Sequence, residues 1–253
     1  MSRPRARTMG AVLFAVVALT TLAAPWLAPH HPSRQFTDMV HAPPSLPRIV
    51  DDAGRFRAPF VYPLHLVNRL ERRYEQDRTR MLPLRVGQEG FVDPAEGVWL
   101  FLGGDALGRD VFSRILLGAR ASLGVAALAT ALALVLGALV GGVAGFAGGR
   151  ADDALMRLTD FVLVLPVIYV MLTLRAVMPL VLSPAQVFWI MTGVFALAGW
   201  PYPARGVRAL LAAERRKEYA EAARAIGASP LRILLRHLLP ATRGFLAVQA
   251  TLL

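Results

Sequence analysis

A chain of 253 residues with 55% hydrophobic side chains and a mean hydropathy of +0.48 belongs with proteins that cross a membrane several times, not with soluble domains. Its net charge of +11, from 28 Lys and Arg against 17 Asp and Glu, invites a nucleic-acid reading, which the placement of those charges has to decide. Cysteine is absent, which excludes disulfide staples and thiolate metal sites.

Arg3, Arg5 and Arg7 precede residues 8–29, which hold no Asp, Glu, Lys or Arg and predict a first membrane helix. A basic start before an apolar run also fits a cleaved signal peptide. A retained span is preferred because the run is long and leads to Pro25, Trp26 and Pro29, not to a small-x-small cleavage site.

Residues 30–119 are the long polar stretch, nearly neutral with twelve Arg against eleven acidic residues. Pro43, Pro44 and Pro47 set extended or turn structure there. The four-residue spacing of Leu66, Leu70 and Tyr74 predicts a charged helix over Leu64–Arg80, solvated or docked to another subunit. His30, His31 and His41 lack carboxylates at metal-ligand spacing, so no metal site is expected.

Asp105-Ala-Leu-Gly-Arg-Asp110 then leads into Val111–Gly118, predicted to lie along the membrane surface and feed the second span. Asp110 and Arg114 have the spacing of a helical ion pair, and Asp110 suits the positive end of a helix. Asp105, Gly108, Arg109, Asp110 and Arg114 therefore read as a turn and cap, with receptor contact or gating as the alternative. Residues 121–149 carry no charge over 29 positions, about 44 Å of helix against a hydrocarbon core of roughly 30 Å. Within them Gly137, Gly141 and Gly145 share one face and predict a close helix-packing seam in preference to a pore lining. Thr159–Met178 and Ala185–Ala204 predict two more spans. Arg175 is placed to snorkel to the interface, the alternative being a polar pathway or an intersubunit ion pair.

Residues 205–243 hold nine Arg or Lys against three Glu and contain a helical hairpin. Tyr219, Ala222, Ala223 and Ile226 fall at i, i+3, i+4 and i+7 and predict an apolar stripe, with Glu218, Glu221 and Arg224 off it. Gly227 marks a left-handed helix end, Ser229 an N-cap and Pro230 the first helical position of a second helix. That helix has a predicted stripe of Leu231, Leu234, Leu235, Leu238 and Leu239, interrupted at Pro240. The shape suits docking to a partner. A fifth apolar run begins after Arg243 and reaches Leu253 in ten residues, about 15 Å and half a crossing, so the sequence reads as a fragment or a truncated gene product.

The positive charge concentrates before the first span and in 205–243, which the positive-inside rule places together in the cytoplasm, with 30–119 outside. Span counting agrees, so the basic balance is an orientation signal and no nucleic-acid partner is expected. A membrane-attached DNA-binding helix-turn-helix is the different-class alternative. A recognition helix presents polar side chains to bases, whereas here the second helix carries a stripe of five leucines. Hydrolase signatures are equally absent: there is no Gly-x-Ser-x-Gly and no His-Glu-x-x-His, and the spans contain no histidine. No Walker loop is present either, since the only lysine, Lys217, follows Arg216.

Glu218-Tyr-Ala-Glu-Ala-Ala-Arg-Ala-Ile-Gly-Ala-Ser229, with Arg236-His-Leu-Leu-Pro240, resembles the EAA motif of permease subunits of bacterial ABC importers, in the dipeptide, oligopeptide and nickel branch. Leu107-Gly-Arg-Asp-Val-Phe-Ser-Arg114 resembles the same branch, while Leu102-Gly-Gly104 departs from the Pro-Leu-Gly-Thr usual there. The resemblance implies an all-α polytopic membrane protein with the type I importer fold. Five spans are present, the last incomplete, where the family has six, and an external Pro-rich segment is added. The expected divisions are 1–29, an N-terminal arm and first transmembrane helix; 30–119, an external segment; and 120–253, a permease core with a cytoplasmic coupling-helix loop at 205–243. Glu218, Tyr219, Glu221, Ala222, Ala223, Gly227, Ser229 and Pro240 are the implied ATPase-coupling residues. The implied partners are two ATPase subunits that carry the ATP and Mg, a second homologous permease subunit, an external substrate-binding protein and membrane lipid. The chain itself is expected to bind no cofactor and to catalyse no reaction, in the inner membrane with its N-terminus cytoplasmic.

Overall fold

The computed structural model describes residues 3–85, 93–94, 98–179 and 181–253, and the chain divides into two compact units, Met1–Leu123 and Gly124–Leu253.

In the first unit α1 spans Arg3–Leu27. Its threonines turn inward on the helix: the Thr20 and Thr21 hydroxyls donate to the carbonyls of Val16 and Val17 at 2.8 and 2.7 Å, so neither is left unpaired in an apolar surround. The polar stretch that follows is built from strands: β1 (Arg48–Val50), β2 (Phe56–Val61), β3 (Leu64–Asn68), β4 (Arg73–Gln76), β5 (Leu82–Arg85) and β6 (Asp93–Pro94). They make a four-stranded sheet in the order β1-β2-β5-β6 and a separate β3–β4 hairpin, all antiparallel. Residues 86–92 and 95–97 of the long 45–98 stretch lie outside the described residues.

The helix expected over Leu64–Arg80 is therefore corrected to a hairpin in which Leu66 faces Tyr74 across the strands. The cause is a degeneracy of period, because residues four apart share a face in a strand as they nearly do in a helix. What broke the tie is the turn. Asn68 Oδ1 accepts the backbone N–H groups of Leu70 and Glu71 at 2.9 and 3.2 Å, Arg72 takes the left-handed conformation at φ 52°, and Leu70 stands 96% exposed at the tip. Beneath the hairpin Ala42, Leu64 and Leu100 form a small core with Phe36, Met39, Tyr74 and Val98 around it. The Tyr74 hydroxyl donates to Val40 O at 2.6 Å, and Trp99 Nε1 donates to Ser45 O at 2.8 Å.

Helix α2 runs unbroken over Val111–Ala147, 37 residues or about 55 Å. Val111–Gly118 is accordingly its first two turns and not a separate surface element. In the second unit α3 (Gly149–Val164) and α4 (Val167–Val177) meet at a 74° bend, where a single span over Thr159–Met178 was expected. Pro166 explains the correction: its ring lacks the N–H that a continuous helix needs and collides with the carbonyl four residues back. Helix α5 (Pro184–Gly199) starts on a capping box, with Gln186 N–H donating to Ser183 Oγ at 3.2 Å and Gln186 Oε1 accepting from Ser183 N–H at 2.8 Å. Helix α6 (Pro201–Glu214) follows directly. Arg175, in the last turn of α4, donates to Pro179 O at 3.1 Å.

Among the described residues three helical stretches are long and apolar enough to cross a membrane: Thr8–Leu27, Val111–Ala147 and Pro184–Glu214. Counting the bent α3–α4 pair as one span makes four. The chain then forms α7 (Glu218–Ala225), a short α8 (Pro230–Arg232) that widens into a π-helical turn over Ile233–Leu238 and a 3₁₀ turn over Leu239–Thr242, and α9 (Arg243–Leu252).

Candidate functional site: a helical hairpin and its supports

The hairpin begins where α6 ends. Glu214 gathers two partners across the turn, accepting from Lys217 Nζ at 2.6 Å and from the Tyr219 hydroxyl at 2.7 Å. Partial desolvation of the otherwise exposed side chain, and then the hydrogen bond to the Glu214 carboxylate, push the Tyr219 phenol up to about 12. Helix α7 ends in a Schellman motif: Gly227 adopts φ 82°, Ala228 N–H bonds to Ala223 O at 3.0 Å and Gly227 N–H to Arg224 O at 3.0 Å. Ser229 then caps α8 through the Arg232 N–H at 3.4 Å, with Pro230 at its first position.

The buried face of α7 differs from the expected stripe. Ala220 and Ala223 are buried, together with Val207, Leu211, Ile233 and Leu238, while Tyr219 and Ala222 are exposed and Ile226 is 85% exposed. Of the expected stripe Ala223 is buried, and the inward face is rotated to include Ala220 in place of Tyr219, Ala222 and Ile226. Small side chains let α7 settle against α6 at short range, and the larger ones are turned outward beside Glu218 and Glu221, both exposed. The second stripe is corrected for a different reason. In the π-helical turn hydrogen bonds skip five residues, as from Leu239 N–H to Leu234 O, so Ile233 and Leu238 share the inward face. Leu231 and Leu235 are left 64% and 51% exposed. Leu234 and Leu239 pack at the rim of the cluster, and Pro240 sits in the 3₁₀ turn behind it.

Beneath the hairpin, α6 lies on the glycines of α2. A Cβ built on Gly137 would fall 2.5 Å from Pro203 Cγ, one on Gly141 2.2 Å from Ala204 O, and one on Gly145 2.6 Å from Arg208 O. Gly141 and Gly145 therefore lie where backbone meets backbone, and Gly137 where the Pro203 ring packs. Polar ties flank the seam. Arg208 grips the Asp152 carboxylate from α6 to α3, with Nε to Oδ1 at 2.9 Å and Nη2 to Oδ2 at 2.5 Å. Arg215 donates to Phe146 O, in the last turn of α2, at 2.9 Å, and an Arg205–Asp160 pair adds a second bridge. Sequence reasoning missed these side chains. The seven-residue spacing of Arg208 and Arg215, two helical turns on one face, was the available signal.

The other group of expected site residues lies in the first unit. Asp105 closes its own loop: Oδ1 accepts the Leu107 and Arg109 N–H groups at 2.8 and 2.9 Å, and Oδ2 accepts Arg109 Nε at 2.8 Å. Burial opposes ionisation of Asp105, but these donors together hold its carboxyl below the usual range. Gly108, at φ 71°, comes so near the chain that a Cβ there would meet Phe36 O at 2.1 Å. Asp110 caps α2, accepting Phe112 N–H at 3.1 Å and the Ser113 hydroxyl at 2.5 Å. The buried His30 approaches the same carboxylate with Nδ1 at 3.4 Å, and His30 N–H donates to Ser113 Oγ at 3.0 Å. The expected Asp110–Arg114 side-chain pair is replaced: Arg114 turns to Asp105, Nε to Oδ2 at 3.6 Å, because Asp110 is committed to the cap. Among the described residues no three His, Asp or Glu side chains form a group able to hold a metal ion.

Long apolar helices, a bent helix pair and a short, sharply capped hairpin define a polytopic helical membrane protein. Residues 133–253 match the family model described as "Binding-protein-dependent transport system inner membrane component". The chain is 31% identical over 245 residues, 96% of itself and 64% of the relative, to the di/tripeptide transport system permease protein DppC of Pseudomonas aeruginosa (strain UCBPP-PA14). It is 38% identical over 161 residues, 64% of itself and 48% of the relative, to the dipeptide transport system permease protein DppC of Bacillus subtilis (strain 168). With the nickel transport system permease protein NikC of Escherichia coli (strain K12) it shares 37% over 152 residues, 60% of itself and 53% of the relative. The chain thus spans about half to two thirds of the length of the curated relatives it matches. Residues 133–253 carry an inner-membrane component domain of the binding-protein-dependent type, and the chain is similar to permeases of the dipeptide, oligopeptide and nickel branch.

Proposed function

We propose that the chain is the membrane-spanning permease subunit of an ABC importer for di- or oligopeptides, and that the α7 hairpin is its coupling element to a separate ATPase. One observation carries this reading: α7 buries only alanines against α6, keeping Glu218, Tyr219, Glu221, Ala222 and Ile226 outward, while Gly227 and Ser229 fix the turn that presents them. Two ATPase subunits supply ATP and Mg, a second homologous permease subunit completes the pathway, and an external binding protein delivers substrate. The N-terminus and α7 face the cytoplasm, by the charge distribution. Closure of the ATPases on ATP draws α7 with them and rocks the spans to open outward. Peptide is preferred as the solute because relatives named for peptide transport cover the most of this chain; nickel is the alternative, on the likeness to NikC.

The test is ATPase retention. Glu221→Lys reverses an outward charge, and Gly227→Pro imposes φ near −65° where the chain needs 82°. Both variants insert in the membrane and lose ATPase co-purification and transport. Unchanged co-purification and transport in both would refute the assignment.

A further inference from the structure

The C-terminal half of α6 touches α7, α2 and α3. Its apolar side, Val207 and Leu211, packs in one cluster with Ala220 and Ala223 of α7. Leu211 also reaches α2, where a Cβ on Gly145 would lie 3.0 Å from Leu211 Cβ. Its polar side holds the other two helices. Arg208 binds both oxygens of Asp152 in the first turn of α3, and Arg215 binds Phe146 O at the end of α2. Between those attachments lies Gly148-Gly149, both at positive φ, 68° and 56°, which joins α2 to α3. The Arg215 guanidinium lies against Gly148, 2.9 Å from where its Cβ would stand.

A two-glycine joint between helices bends easily, and two arginines from one neighbouring helix hold it on both sides. From this we infer that Arg208 and Arg215 are positioning residues that make α2, α3 and α6 move as one body with α7, so that displacement of the docking helix reaches the spans without being absorbed at the 148–149 joint. The planar guanidinium of Arg208 meeting a carboxylate in two places resists rotation about the contact, which a lysine ammonium does not. The inference rests on the reading of α7 as the docking helix. It adds a separable claim, that ATPase docking and force transmission depend on different residues.

The experiment uses the full transporter, assembled with its ATPase and partner permease in proteoliposomes, and reads two quantities: ATPase co-purification, and solute transported per ATP hydrolysed. In Asp152→Arg, Arg208→Asp and Arg208→Lys, co-purification and ATP hydrolysis persist while transport per ATP falls about fivefold or more. The double exchange, Asp152→Arg with Arg208→Asp, restores it. Arg208→Lys keeps the charge and serves as the informative variant if the reversals do not insert. Transport per ATP unchanged in Arg208→Lys, or single variants that the double exchange fails to rescue, overturns the inference. Glu221→Lys and Gly227→Pro transporters that both keep their ATPase and their transport overturn the docking reading beneath it, a distinguishable result.

Discussion

Replacing Gly141 with alanine tests the closest backbone approach in the second unit. The new methyl would sit 2.2 Å from Ala204 O, 2.9 Å from Ala204 C and 3.0 Å from Ala204 Cα, about 1.2 Å short of the 3.4 Å at which ordinary van der Waals contact begins. Nothing flexible is available to yield, because all three obstructing atoms are main chain, so α2 and α6 must separate. Overpacking of this kind costs about 1–3 kcal/mol, and alanine returns up to about 1 kcal/mol as the better helix former, leaving a net loss of up to about 2 kcal/mol. At roughly 2–4 °C per kcal/mol the melting temperature falls by up to about 8 °C. Gly193→Ala is the internal control, since that glycine lies in the interior of α5 with nothing within 4 Å of a Cβ. Thermal melting of the purified proteins in detergent, with both variants measured alongside wild type, gives the answer. A melting temperature for Gly141→Ala equal to that of Gly193→Ala would show that the two helices separate without penalty, and would refute the reasoning.

Three other outcomes follow from side-chain geometry. Ser113→Ala leaves the buried His30 N–H without its acceptor and removes a donor to Asp110, for a loss of about 1–3 kcal/mol, measurable as a lower melting temperature than Ser33→Ala, whose serine is not buried. For Asp105 the folded-state carboxyl titrates below its unfolded value of about 3.9, so its stabilisation is complete above that pH and drains away as pH falls through the lower folded value; acid melting curves of Asp105→Asn should be flatter than wild type below about pH 4, and parallel curves would count against it. Tyr219 is the mirror case: its proton is held more tightly in the folded state, the contribution is whole below about pH 10 and is lost on the way up to about 12, and the Tyr219→Phe difference spectrum should remove a phenolate transition near that upper value, with removal of one near 10 as the contrary result.

How far the sequence could be read depended on whether one residue or a pairing settled each element. Gly227, Ser229 and Pro230 each act locally, through a backbone angle, a hydroxyl and a missing N–H, so the hairpin turn was legible. The glycine stripe at 137, 141 and 145 was legible as periodicity, though its counterpart, α6, was not. Leu64–Arg80 failed because a spacing of four serves strand and helix alike, and the turn chemistry of Asn68 was not weighed. The inward face of α7 was legible at Ala223 only, because the apolar spacing ran through Tyr219 and Ile226 where close approach to α6 selects Ala220. Arg208 and Arg215 offered only their shared helix face as a signal; what they hold, Asp152 and Phe146 O, lies 56 and 69 residues away along the chain and was not legible.

The π-helical turn has one more effect, on direction. Such a turn is an α-helix carrying one surplus residue, and each α-helical residue advances the chain by about 100°. The surplus at Ile233–Leu238 therefore sets the compass bearing on which α9 departs, and deleting a single residue there would swing everything after Leu238 by roughly a quarter turn. The hairpin is thus also the steering joint for the helix that leaves it.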